Sequence, residues 1–241
     1  MQPTMCSRCH KHVAVVFITK LEGGQSKNEG LCLKCAKELG IKPIDDMIQK
    51  MGITDEDLEN LRFVDGELTG FSGKTLDVRG CVFERCRFGD NDFKRISFVD
   101  CIFDKCEWSN VRLTNAAFQR ARLQGCRMTG LEIMRGALIN VAFDGCMLDY
   151  ASFAECKLDH AVFSDCRLRD SLWSENRLSR VRFDHSDLER AQWARTQLSG
   201  LDMTTCRIAG WTVSLTDLRG LKVTAAQVLD LAGLLGVEIV S

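Results

Sequence analysis

The chain has 241 residues, with 32 basic and 33 acidic side chains and a formal net charge of −1. That balance gives the whole protein no pull towards DNA or an anionic membrane, and argues against nucleic acid as a partner. Thirteen cysteines, a polar start over Met1–Lys11 and the lack of any apolar run long enough to span a bilayer predict a cytoplasmic protein with reduced thiols, not a disulfide scaffold.

In chain order, the first motif is a pair of CxxC knuckles, Cys6-Ser7-Arg8-Cys9 and Cys32-Leu33-Lys34-Cys35. Two thiolates on one tight turn, met by two more, make the tetrahedral four-sulfur cage of structural Zn2+, so Cys6, Cys9, Cys32 and Cys35 are the predicted metal ligands. The residues between suit a hairpin: Val13–Thr19 is apolar and β-branched, Gly23-Gly24 marks a turn, and Lys27–Leu33 returns as a second strand. Four cysteines complete the site, which leaves His10 and His12 as expected surface residues. Beyond it, Ala36–Leu39 reads as a helical turn, Pro43 starts a helix ending at Gly52, and Thr54 with Asp57 signals a third helical segment over Asp55–Leu61. A polar, glycine-bearing stretch follows, with Phe63 and Leu68 already in the register of what comes next.

From Val78 to Val223 every fifth residue is large and apolar, from Phe83, Phe88, Phe93, Phe98, Phe103 and Trp108 through to Leu218. Two places before each sits a mostly small residue, such as Cys86, Cys106, Ala116, Cys126, Cys146, Ala151 or Cys166. A period of five fits neither helix nor strand, and a fixed internal repeat means a solenoid whose units bury their apolar sides against their neighbours. Both prolines, Pro3 and Pro43, lie outside it, in keeping with an uninterrupted backbone ladder. The repeat cysteines are expected as small hydrophobes filling tight inner positions. No nucleophile, base or cofactor loop is set up by the repeat, so no enzyme is expected.

Two resemblances follow. Units such as Ala151-Ser152-Phe153-Ala154-Glu155 and Ala191-Gln192-Trp193-Ala194-Arg195 resemble the pentapeptide-repeat family, which implies an all-β solenoid, a right-handed quadrilateral β-helix with four five-residue sides per coil. The opening, with its LCLKCAKELGIKPIDDMI run, is similar to the N-terminal zinc module of McsA-type proteins, implying an adaptor or regulator that works with Clp-type machinery. Within the first family the Qnr-like group offers gyrase an acidic, DNA-like rod, the alternative function here: binding or protecting a topoisomerase, with quinolone resistance as its outcome. Mimicry needs phosphate-like charge, and Leu76–Ser241 carries 22 basic against 22 acidic residues.

At the end, Trp211, Leu215 and Leu221 depart from the repeat. Thr224 and Gln227 form a capping box, and Val228, Leu231, Leu234 and Leu235 line a short helix ended by Gly236, with Val237–Val240 as a final strand. This ending is similar to the Qnr-like C-terminal segment, which implies a homodimer joined there. The expected organisation is a zinc module with helices (1–62), a linker or degenerate first coil (63–75), the β-helix (76–223) and the cap (224–241). The expected function is a zinc-binding scaffold for another protein.

Overall fold

The computed structural model describes residues 5–10, 16–22, 25–31, 35, 58–67, 75–89 and 91–237. Cys32, His12, the turn at Gly23-Gly24, the expected helical turn over Ala36–Leu39, the Pro43–Gly52 helix and the end of the proposed final strand lie outside them.

With a period of five and a small residue at every i−2, the chain turns a corner at each fifth residue and returns above itself after twenty. Three sides of the resulting coil are seven-stranded parallel sheets. Side one stacks Leu58–Glu59, Thr75–Arg79, Arg95–Val99, Ala117–Gln119 and onwards to Arg177–Ser179. Side two runs from Arg62–Val64 to Arg182–Asp184, and side four from Asp92–Phe93 to Thr212–Val213. Side three is held by single parallel bridges, Glu67 to Arg87 to Glu107 and so on to Arg207. Each residue pairs with the one twenty places on, as Phe83 with Phe103 and Phe143 with Phe163. At about 4.8 Å per coil, seven coils make a rod roughly 35 Å long.

Most corners hold a residue in the left-handed region, including Asp100 (φ 56°), Asn110 (φ 59°) and Arg120 (φ 51°). The corner at residues 75 and 95 is different: Thr75–Arg79 and Arg95–Val99 run through it as unbroken five-residue strands. The i−2 positions there are Leu76 and Ile96, where later coils have Ala116, Gly136 and Cys156. A bulky inner side chain pushes the corner outwards and leaves the backbone extended.

The inside is a stack of rings. Phe163 lies between Phe143 (centroids 4.6 Å apart) and Phe183 (4.9 Å), with Trp173 edge-on at 5.7 Å. Inner thiols do more than fill space. Each donates weakly to backbone carbonyls, as Cys106 Sγ to Phe83 O (3.3 Å) and Cys126 Sγ to Phe103 O (3.5 Å). Ser186 and Thr196 do the same with hydroxyls, and Asn176 bridges two coils, donating to Phe153 O and accepting from Cys156 N–H.

Two indoles break this satisfaction: Trp108 Nε1 and Trp193 Nε1 are the buried side-chain polar atoms, among the described residues, with no hydrogen-bond partner. One coil below Trp193, Trp173 has the same stacked pose (5.0 Å, 16°) and donates to Ser171 Oγ at 3.0 Å. Ala191 occupies the equivalent place beside Trp193. Ala191→Ser is therefore expected to raise stability by about 1 kcal/mol by supplying the missing acceptor, and Ser171→Ala to lower it by about 1–3 kcal/mol. Thermal melts of both variants check this; unchanged melting temperatures in both contradict it.

Both ends carry elements that depart from the repeat. Near the start, Val16–Glu22 and Gln25–Leu31 form the predicted antiparallel hairpin, and its first strand comes close to Arg62–Val64. The expected helical segment over Asp55–Leu61 is corrected: Leu58–Glu59 is a strand paired with Val78–Arg79. Among the described residues the first coil starts at Leu58, because ladder pairing twenty residues on outweighs a weak capping signal. At the other end Ala225–Ala232 is a helix with a complete Thr224/Gln227 capping box. Gln227 Nε2 also donates to Met203 O and Cys206 O, both at 2.7 Å. It satisfies carbonyls that an open edge would offer to other chains.

Candidate functional site

Two regions carry the chemistry. The first is the cysteine cluster. Cys6 opens a turn closed by His10 N–H donating to Cys6 O, with His10 at φ 52° and exposed. Ser7 ties this turn to the hairpin: its N–H and its hydroxyl both donate to Gly30 O, and its Oγ accepts from Gly30 N–H. Arg8 Nη1 reaches Cys35 O at 3.4 Å. The sulfur atoms of Cys6, Cys9 and Cys35 all lie within 4.8 Å of one another, with Cys6 and Cys35 buried and Cys9 half-buried. Thiolates about 2.3 Å from one tetrahedral ion sit roughly 3.8 Å apart, so this spacing fits such an ion. The fourth predicted ligand, Cys32, is outside the described residues.

The second region is the surface of the rod. The outward column on side three alternates in sign, reading Glu67, Arg87, Glu107, Arg127, Met147, Arg167, Asp187 and Arg207. Its later coils form one network: Arg167 pairs with Asp149, Arg169 with Asp187 and Glu189, and Arg207 with Asp187 and Glu189. Corners carry bidentate pairs one coil apart, Arg85 with Asp65, Arg120 with Asp100 and Arg190 with Asp170. In each, the hydrogen-bonded guanidinium lowers the carboxyl below its usual range. On side two Glu84, Asp104, Asp144 and Asp184 share a column, but Gln124 and Ser164 interrupt it. Arg62 pairs with Glu84, and Arg182 with Asp184. No described side of the rod is a continuous acidic stripe.

Side four is unlike the rest. Beyond the Arg112–Glu132 pair (3.2 Å) its outward residues are uncharged: Ser152, Ala154, Leu172, Ser174, Gln192, Ala194, Thr212 and Ser214. The sequence reading followed the inward columns and did not find this floor, which stands in the outward columns of the same twenty-residue period.

The inner thiols offer no reactive centre. Burial pushes Cys101 and Cys156 up to about 11. Cys86, Cys126 and Cys166 are raised, first by hydrogen bonding to a neighbouring sulfur and then by burial. Cys106 and Cys146 are held below the ordinary thiol value by hydrogen bonds from two neighbouring thiols each. All seven are buried in the rod. Among the described residues no helix is long and apolar enough to cross a membrane.

Among known proteins, the family profile described as a pentapeptide repeat region matches residues 76–153 and 117–193. QnrB1, a plasmid-mediated fluoroquinolone resistance protein, is 19% identical over 77% of this chain and 100% of its own, with a TM-score of 0.33. HetL, from the cyanobacterium Nostoc sp. strain PCC 7120 and involved in heterocyst differentiation regulation, is 13% identical over 74% of this chain and 92% of its own, with a TM-score of 0.36. No curated protein matches the sequence significantly. The five-residue register, the four-sided coil and the matching family profile agree, and through its rod the chain belongs to the pentapeptide-repeat family.

Proposed function

We propose that the chain is a non-enzymatic interaction scaffold, in which a zinc module at one end and a stiff rod present two surfaces to a protein partner. The observation that carries this reading is the rod's charge pattern. Arginines answer carboxylates coil by coil, so the surface lacks the sustained negative field with which a protein imitates a nucleic acid backbone. That favours an adaptor or regulator, with Clp-type machinery as the class of partner the N-terminal resemblance implies, over a topoisomerase-directed mimic. The test adds purified chain to a gyrase supercoiling reaction with and without a quinolone. The scaffold reading expects supercoiling and drug sensitivity to stay as they were; inhibition or protection would restore the mimic.

In this reading Cys6, Cys9 and Cys35, together with Cys32, hold one structural Zn2+. Supporting it are the spacing of the three sulfurs and the turn that Ser7 locks onto Gly30. When bound, the ion supplies a cross-link that a module too small to build a large core otherwise lacks.

The C-terminal helix is proposed as a homodimer contact. Leu231 and Leu234 lie half-buried against the last coil, whereas Val228, Leu229 and Leu235 face outwards, Leu229 with 62% of its surface exposed. An exposed apolar cluster at one end of a rod suits an isologous twofold contact. Leu231 thus acts chiefly in the cap, and Leu229→Asp is the cleaner test of association. Light scattering is expected to give twice the chain mass of 27.1 kDa for the wild type and the monomer for the variant. A monomeric wild type would leave the helix as a cap alone.

A further inference from the structure

We propose that side four of the rod is a lateral docking surface for a second copy of this chain, packed face to face with the two rods antiparallel. This goes beyond the end-to-end contact and uses different residues. Its floor between Ser152 and Ser214 has no charge, and the side chains are small apart from Gln192 and Leu172, the latter 39% exposed near its middle. Two sheets pack closely when neither must bury an unpaired charge.

The rims decide the occupant. Along one rim the corner residues read Tyr150, Asp170, Arg190 and Gly210; along the other, Glu155, Glu175, Arg195 and Leu215. A twofold axis lying in the contact plane along the strand direction, midway between the coils of Asp170 and Arg190, keeps each rim against its own copy and reverses the coil order. Asp170 then meets the second copy's Arg190 on one rim, and Glu175 meets its Arg195 on the other. Within one chain Arg190 already holds Asp170, and Arg195 holds Glu175. Across the axis each pair becomes a square of alternating charge, the complementarity that sets register and excludes wrong partners. The same operation brings Leu172 over Gln192, and Tyr150, 64% exposed, over Gly210, where no side chain stands in its way. Side one has no such match around its one bidentate corner: about an axis between the coils of Asp100 and Arg120, its other rim sets Arg95 against Asn115.

A face one strand wide and about four coils tall falls below the roughly 1,200 Å² typical of stable complexes, so the association is weak and concentration-dependent. The test uses two full-length variants, Arg195→Glu and Glu175→Arg, sedimented separately, as an equimolar mixture, and beside the wild type at high protein concentration. Each variant alone places like charges across the axis and is expected to associate at least about tenfold more weakly than the wild type. The mixture is expected to recover, because the twofold then sets the two acidic rim positions of one variant against the two basic ones of the other. Both variants break the internal Glu175–Arg195 pair, so a role confined to folding gives no recovery on mixing. An end-to-end contact is common to all samples and cancels. A mixture no heavier than its components, or a wild type whose mass does not rise with concentration beyond the end-to-end species, overturns the proposal.

Discussion

Phe163→Ala is expected to destabilise the rod by about 3–5 kcal/mol, the range for removing a fully buried ring whose surroundings relax only in part. The ring is enclosed by Phe143 below, Phe183 above and Trp173 at its edge, and its exposure is 0%. A solenoid coil touches only its neighbours, so the loss is concentrated between the coils of Phe143 and Phe183. Hydrogen exchange should accelerate there first, while amides near Phe98 keep their protection. Denaturant melts check the magnitude, with Gln124→Ala as the exposed control, expected within about 0.5 kcal/mol of the wild type. A Phe163→Ala protein as stable as that control would mean that the stacked rings do not hold the coils together.

The second large effect concerns the metal. Purified wild-type chain is expected to hold about one zinc ion, and Cys6→Ser with Cys9→Ser to hold none, because two thiolates alone leave the tetrahedral site half made. The hairpin is expected to lose order with the ion. The far rod is expected to keep its β signal in circular dichroism, since its coils pair with each other through residues 75–213. The first coil is the exception: Val16–Glu22 comes close to Arg62–Val64, so protection at Phe63 should fall. Elemental analysis of protein purified under reducing conditions reads the first outcome, and a metal-free wild type would refute the site.

How much of this was legible beforehand differs by region. The five-residue register pointed directly to a solenoid, because a fixed repeat can bury every fifth side chain only against its neighbours; the four sides per coil followed from the family resemblance, and pairing twenty residues on bears them out. The Thr224/Gln227 capping box was equally plain, being local. At the start of the rod Phe63 was read in register, but the strand at Leu58–Glu59 was missed although Leu58 lies in the same register. Local signals there favoured a helix, and pairing with Val78 is a long-range term that a local window does not contain. The unusual corner at residues 75 and 95 had a visible cause in Leu76 and Ile96, but its effect on the backbone needed coordinates. So did the corner pairs: Asp170 and Arg190 are twenty residues apart, and only stacking makes them neighbours.

The rod is proposed to present a protein-binding surface whose charges are matched internally and do not stand in for nucleic acid. The most direct measurement immobilises the full-length chain, captures its protein partner at physiological ionic strength, and then challenges the complex with excess duplex DNA. The partner is expected to stay bound, because a surface of paired arginines and carboxylates does not compete for a DNA-binding groove. Release of the partner by DNA, in step with DNA concentration, would contradict it.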